Sequence, residues 1–320
     1  MRAYHVAAPG AAAALSEIPC PSPRAGELLV RIEACGLNFA DLLILEGQYQ
    51  EMPEAPFTLG MEVAGTVEAT GPGVTTPVPG TRVAVFGGHG GLAEYGCFPA
   101  ERAVTLPDSM DAVAGAAFQI AYGTSHVALS HRARLAPGER LLVLGAAGGV
   151  GLTAVEIGRA MGAEVIACAR GAEKLEVARR AGAHHLVPAD PETLRDDVRA
   201  LGGADVVYDP VGGPLFEAAF RACRPEARLL SIGFASGEVP RIKANHLLVK
   251  NLTVMGIYWG GYLHFRPGVV RESLAELMRW HGEGHLAPHV SHVLPLERVE
   301  EGLTLLRERR STGKVVIRPR

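Results

Sequence analysis

No Cys-X-X-Cys pair occurs anywhere in this chain; its five cysteines stand apart at Cys20, Cys35, Cys97, Cys168 and Cys223. An odd, scattered set offers neither a disulfide framework nor a cysteine zinc site. No apolar run approaches the roughly 20 residues of a membrane-spanning helix, and the first residues lack the charged-then-apolar pattern of a secretory leader. Basic runs are missing as well, and a net charge of −3 leaves no footprint for nucleic acid or for an anionic membrane. These absences describe a soluble chain expected in the cytoplasm. With 48% hydrophobic and 20% charged residues over 320 positions, it is too apolar for disorder and long enough for two packed domains.

The pattern of the chain changes near residue 110. Before it, short strand-like runs at 27–34, 62–69 and 81–86 are separated by Pro/Gly turns, the rhythm of a β-rich domain. Residues 11–14 read as a further turn. After residue 110, helices and strands alternate. A long helical pattern at 111–131, with a break expected at Tyr122-Gly123, is followed by strands at 140–144, 164–169, 204–208 and 228–232, with helices between them. Such alternation predicts an α/β fold with a doubly wound parallel sheet. Amphipathic helices are expected at 269–280 and 296–309, and a last strand after Gly313.

One segment carries recognisable chemistry. Residues 141–151 read Leu-Leu-Val-Leu-Gly-Ala-Ala-Gly-Gly-Val-Gly: a strand, a glycine turn and a helix start. In the G-x-G-x-x-G register Ala146 replaces the first glycine. Gly148 lets backbone approach a phosphate, and Gly151 lets the helix pack close to the strand. A glycine-rich turn that binds nothing is the alternative, weakened by the strand–turn–helix–strand context. The next strand ends Cys168-Ala169-Arg170, with Lys174 one helical turn on and no carboxylate to accept ribose hydroxyls. Two cations here favour a 2′-phosphate, and so NADPH, although both could be ordinary solvated charges at a helix start.

In the first domain Asn38, Asp41 and Tyr49 form the outstanding polar group. Asn38 and Asp41 could share a face at a helix start, and Tyr49 follows Gly47, which ends that helix. An N-cap asparagine with a first-turn acid is the plain alternative.

Taken with Ala-Cys-Gly-Leu-Asn-Phe-Ala-Asp, Glu-Gly-Gln-Tyr, Pro-Phe-Thr-Leu-Gly-Met-Glu-Val-Ala-Gly at 56–65, and Asp-Val-Val-Tyr-Asp-Pro-Val-Gly-Gly at 205–213, these motifs run over essentially the whole chain. Together they resemble the zinc-independent quinone oxidoreductase branch of the medium-chain dehydrogenase/reductase superfamily. The resemblance implies a chaperonin-10-like β-rich catalytic domain built from 1–119 and 265–320, and a Rossmann NADPH-binding domain at 120–264. Catalysis is expected where these two parts meet. A homodimer paired edge to edge through 252–258 is also implied.

Zinc alcohol dehydrogenases of the wider superfamily carry Cys where this chain has Asn38, and Gly-His-Glu where it has Gly60-Met61-Glu62. Their cysteine-rich lobe has no counterpart between 82 and 110, so no metal is expected. His281, His285, His289 and His292 have a superficially metal-like spacing, but Gly282, Gly284 and Pro288 would break any helix aligning them.

By the same resemblance, Tyr49 borders the nicotinamide and donates a proton, Asn38 hydrogen-bonds the acceptor oxygen, and Asp41 orients its neighbours. Cofactor contacts are implied for Gly148, Gly149, Val150 and Gly151, for Arg170 and Lys174, and for Thr124. Gly233, Phe234, Ala235 and Ser236, and then Ile257, Tyr258 and Trp259, complete that set. Pro188 stands where many NADPH relatives place Tyr or His for the 2′-phosphate. The implied activity is hydride transfer from NADPH to a quinone or another conjugated carbonyl. Such acceptors delocalise charge onto an oxygen that needs only a hydrogen bond. An enoyl-CoA-type reductase is the alternative enzyme, and a non-catalytic NADPH-binding sensor or structural protein the alternative of another class.

Overall fold

In a computed structural model, which describes residues 1–8 and 11–320, the chain divides into two units, Met1–Ile120 with Pro288–Arg320, and Ala121–Ala287. Strands β1 (Arg2–Val6) and β2 (Ala13–Glu17) open the chain as an antiparallel pair. Ala13 and Ala14, expected in a turn, therefore begin a strand. Next come β3 (Glu27–Leu37), α1 (Phe39–Leu45), β4 (Phe57–Thr58), β5 (Glu62–Thr70), β6 (Arg82–Phe86), β7 (Tyr95–Pro99), β8 (Ala103–Thr105) and α2 (Ala112–Ala116). Side chains of β3 alternate between enclosed and half-open up to Ala34, the period-two pattern of a strand with one face in the core.

Continuing through α3 (Gln119–His126), the chain enters the second unit. The helical run is interrupted at Ala117 and Phe118, between α2 and α3, rather than at Tyr122-Gly123, and past His126 it widens into a π-helical stretch, Val127–Arg132. Then follow β9 (Arg140–Leu144), α4 (Gly149–Ala160), β10 (Glu164–Ala169), α5 (Ala172–Arg180), β11 (His185–Pro188), α6 (Leu194–Ala200), β12 (Ala204–Asp209), α7 (Gly213–Ala222), β13 (Cys223–Ser231), α8 (Ala244–Lys250), β14 (Thr253–Gly256), α9 (Trp259–Phe265) and α10 (Pro267–Gly282). These six strands form one parallel sheet in the order β11-β10-β9-β12-β13-β14. The order reverses between β9 and β12, which is the doubly wound topology with its ligand crevice at the carboxyl ends of those strands. Its central strands are near-continuous apolar runs, because helices cover both faces.

The sequence reading returns the chain to the β-rich domain at residue 265, but residues up to Ala287 belong to the second unit. The cause is packing by α10. His126 Nδ1 lies 2.9 Å from Ser273 Oγ, and the His126 ring meets Trp280 edge-on at 5.3 Å.

Only then does the first unit close, with β15 (Val290–Pro295), α11 (Val299–Arg307) and β16 (Lys314–Arg318). Its larger sheet runs β15-β16-β3-β5-β6-β8, with β7 also on β3. Register decides which residues meet. Val315 of β16 pairs with Leu37 of β3, and Gly36 pairs with Glu62 of β5, so Lys314, Asn38 and Glu62 converge at one end of three strands. Among the described residues no helix is long and apolar enough to cross a membrane.

Candidate active site

In the second unit the glycine turn has the form a phosphate needs. Gly145 turns the chain out of β9 with φ +60°, and Gly148 is the exposed N-cap of α4. The left-handed turn thus falls at Gly145, one residue before the position where the motif register looks for its first glycine. A Cβ on Gly151 would stand 2.2 Å from the Gly145 carbonyl oxygen, so only glycine permits this close packing of helix on turn. Backbone N–H groups of Gly149, Val150 and Gly151 belong to the first turn, which has no intrahelical acceptors and carries the positive end of the helix dipole.

Three buried hydroxyls brace this turn from below. Ser125 Oγ lies 2.8 Å from Thr153 Oγ1 and 2.9 Å from Tyr208 OH, and donates to the Val150 carbonyl at 3.0 Å. They join α3, α4 and β12. Burial pushes the Tyr208 phenol above its ordinary range, which keeps it a neutral partner. Thr124 is buried next to Ser125.

Arg170 is exposed directly after β10, and Lys174 is half-buried in the first turn of α5. Along the same edge, Asp209 at the end of β12 accepts from the N–H groups of Val211 and Gly212 at 2.8 and 2.9 Å, and burial raises its carboxyl to about 6. The stretch from Gly233 to Ser236 is tied to this turn, since Ala235 N donates to Pro210 O and Ser236 N to Val211 O. Phe234 is left partly exposed. Ile257 N donates to Ser231 O, extending the line of β14, and Tyr258 caps α9. Trp259 is buried, its indole against Gly123, where an added Cβ would stand 2.7 Å from Nε1. Its side chain is therefore core, next in sequence to Tyr258 and in contact with the neighbour of Thr124.

In the first unit Asn38 holds the N-cap position of α1, and the Asp41 carboxylate reaches back to accept from the Asn38 N–H at 2.8 Å. The asparagine side chain is otherwise engaged. Nδ2 donates to Gly36 O at 3.2 Å and to Glu62 Oε1 at 3.0 Å, while Oδ1 accepts from Lys314 Nζ at 2.6 Å. Both amide hydrogens are committed within the protein, so the expected hydrogen bond from Asn38 to an acceptor oxygen has no free donor. Gly36 cannot be replaced here, because a Cβ would stand 2.1 Å from the Ala116 carbonyl oxygen.

Asp41 is fully buried, and its Oδ1 makes no hydrogen bond. Burial raises the carboxyl to about 7, opposed by the backbone N–H groups of Asn38 and Gly60 and by Lys314. Tyr49 sits half-exposed on the bend that follows α1. Motif reading named Glu62 without a role and missed Lys314 altogether. The available signal for Lys314 is a charged residue immediately before the apolar run 315–317, in a chain with only four lysines.

These donors do not suit a divalent metal. Asn38 Oδ1 and Glu62 Oε1 already face an ammonium at 2.6 and 2.7 Å, and that cation would repel a second one. Among the described residues no three His, Cys, Asp or Glu side chains cluster for metal binding. His281 closes α10 and His292 lies in β15.

Known proteins share both units. The family pattern described as Alcohol dehydrogenase GroES-like domain matches residues 24–108, and the one described as Zinc-binding dehydrogenase matches residues 149–280. Quinone oxidoreductase-like protein 2 of Bos taurus is 39% identical over 295 residues, covering 91% of this chain and 84% of that protein. The quinone oxidoreductase of Thermus thermophilus, whose solved structures include its complex with NADPH, matches with a TM-score of 0.87 at 33% identity, over 99% of this chain and 100% of that one. Escherichia coli quinone oxidoreductase complexed with NADPH matches at 0.90 and 27% identity over 99% of each chain. This chain belongs to the medium-chain dehydrogenase/reductase superfamily, in its quinone oxidoreductase branch. It is an oxidoreductase of that family, with a GroES-like domain and a Rossmann-type domain.

Proposed function

We propose that this protein is a zinc-independent reductase that passes a hydride from NADPH to quinones or other conjugated carbonyls. The observation that carries the proposal is the pairing of the Gly145 to Gly151 cradle with a neighbouring strand followed directly by exposed Arg170 and no carboxylate. Gly149, Val150 and Gly151 would hold the pyrophosphate on the N–H groups of the first helical turn, with Gly148 letting the backbone come close, and Arg170 with Lys174 would hold the 2′-phosphate. Thr124, the stretch from Gly233 to Ser236, and the backbone of Ile257 and Tyr258 would line the rest. NADPH complexes of the Thermus thermophilus and Escherichia coli quinone oxidoreductases support this choice of coenzyme.

When bound, NADPH supplies the hydride that an electron-poor π system accepts at carbon. Proton balance then falls to the protein. Tyr49 donates its phenolic proton to the acceptor oxygen as charge develops there, and regains it from solvent. Asn38, with both amide hydrogens committed, shapes the floor beneath α1 instead of binding the acceptor. We further propose that the protein pairs with a second copy through the outer edge of β14, beside the exposed Leu248 and Val249 of α8. Monomeric sedimentation at micromolar concentration would count against that pairing.

The function is tested by following coenzyme oxidation with 1,2- and 1,4-quinones, enals and enoyl-CoA thioesters, with NADPH or NADH, with and without chelator. Turnover of quinones or enones with NADPH, untouched by chelator, is expected. NADPH binding without oxidation by any acceptor would refute the reductase, and activity confined to enoyl-CoA would move it to the thioester class.

A further inference from the structure

The cation of Lys314 is buried and fully satisfied. Its side chain is 6% exposed, and Nζ donates to Leu37 O at 2.8 Å, Asn38 Oδ1 at 2.6 Å and Glu62 Oε1 at 2.7 Å. Three ammonium hydrogens meet three oxygens. Glu62, 1% exposed, is equally engaged, sharing Oε1 between Lys314 and Asn38 Nδ2 and accepting the Ile120 N–H on Oε2 at 3.0 Å. A buried pair of this kind is poor evidence for stability, because desolvating two ions offsets most of their attraction and an apolar pair would serve as well. Its presence is better explained by what it holds. On one side is the Asn38 amide, locked at both ends. On the other is Asp41, bonded to the Asn38 N–H through Oδ2 and unbonded at Oδ1.

We propose that Lys314 is a positioning residue of the active site: gripped by Glu62, it fixes the Asn38 amide and, with Glu62, decides whether the buried Asp41 carboxyl keeps its proton. The proposal rests on Asn38 and Asp41 belonging to the site of the reductase proposed above. Its basis is the charge balance of a closed cluster. The titratable groups facing Asp41 are Lys314 from β16, Glu62 from β5 and Cys35 from β3. Burial pushes the Cys35 thiol well above its ordinary range, so it stays neutral. Lys314 and Glu62 cancel. With Asp41 protonated the cluster is neutral, and with Asp41 ionised it holds an uncompensated negative charge away from water. Burial keeps the proton on, the Asn38 N–H and then Lys314 draw it off, Glu62 opposes them, and the carboxyl settles at about 7.

Opposite control by the two partners of one ion pair is the signature to test. The full-length protein, labelled with carboxyl-13C aspartate, is titrated by NMR, and the Asp41 signal is assigned by its loss in Asp41→Asn. A midpoint near neutrality is expected in the parent, moving to higher pH in Lys314→Met and to lower pH in Glu62→Gln. A merely structural pair would shift both variants the same way, and that result, or no shift, overturns the proposal. If a single variant does not fold, Lys314→Met/Glu62→Gln removes both charges together and should titrate close to the parent; a large displacement there is equally fatal. In turnover with a quinone or enone, Lys314→Arg should retain kcat and Lys314→Met should lose it, with the KM for NADPH unchanged in both. The titration needs no acceptor, so a protein inactive with every quinone and enone would refute the reductase while leaving the titration to judge Lys314.

Discussion

The ammonium of Lys314 lies 2.7 Å from the carboxylate of Glu62, which stands 252 positions earlier in the chain. Two adjacent strand registers bring them together: β16 on β3, and β3 on β5. At that junction sits the N-terminus of α1, whose exit leads to Tyr49.

Breaking this pair from one side should be costly. Lys314→Met leaves Glu62 buried and unpaired, for an expected loss of about 3–5 kcal/mol. Lys314→Met/Glu62→Leu should regain most of that. Denaturant unfolding of the two variants measures the difference, and equal losses would mean that the uncompensated charge is not the cause.

The two glycines of the turn should fail differently. Gly151→Ala places a Cβ 2.2 Å from a backbone oxygen and should lower folding stability by about 1–3 kcal/mol. At Gly148 the nearest atom is 3.3 Å away, so Gly148→Ala should fold almost normally. It should nevertheless weaken NADPH on the order of tenfold or more, about 1.4 kcal/mol, by crowding the pyrophosphate. Thermal melts and fluorescence titration with NADPH separate the two effects, and identical profiles would contradict this division.

Arg170→Ala should weaken NADPH by about 1–3 kcal/mol, the range for a charged hydrogen bond, and leave NADH unaffected. Parallel losses for both coenzymes would remove the 2′-phosphate from this position.

Tyr49→Phe should lower kcat with an enone on the order of a hundredfold, the low end for a lost general acid, at unchanged NADPH affinity. Single-turnover kinetics checks it. Full activity in this variant would transfer the proton-donor role elsewhere.

The buried carboxyls should each give up stabilising free energy as pH rises through the weakly acid range, while His89, His126, His131, His281 and His289, held below their ordinary range by burial, act with the opposite sign. Burial raises the Glu156 carboxyl, which accepts from Tyr122 OH and the Ala287 N–H, from an ordinary 4.5 to about 7. Between those values the folded state binds more protons than the unfolded one, so this group's favourable contribution is complete below 4.5 and lost by about 7. Asp41 and Asp209, raised to about 7 and about 6, act with the same sign. Glu156→Gln should therefore make the melting temperature fall less, or rise more, between 4.5 and about 7 than it does in the parent. An unchanged slope would place the titrating group elsewhere.

Much of this is legible in the sequence. Strands at 140–144 and 164–169 emerged at the expected residues, because apolar runs bounded by glycine leave little freedom. Gly148 and Gly151 were legible for the same local reason. Less visible were Gly145, which takes the left-handed turn one residue early, and the placement of 265–287, which depends on whether α10 finds His126 or a β-sheet to pack on. By its motif Asn38 reads as a donor to substrate, but a lysine distant in sequence and a glutamate on the neighbouring strand β5 take up its side chain.

Local sequence alone determined the βαβ unit, its glycine turn and the cationic end of its second strand, since backbone sterics and hydrophobic period act within a few tens of residues. Tertiary structure alone decided that Lys314, Glu62, Asn38 and Asp41 share one cluster. No local propensity can specify that meeting. It arises when strand registers are chosen by the packing of a whole sheet.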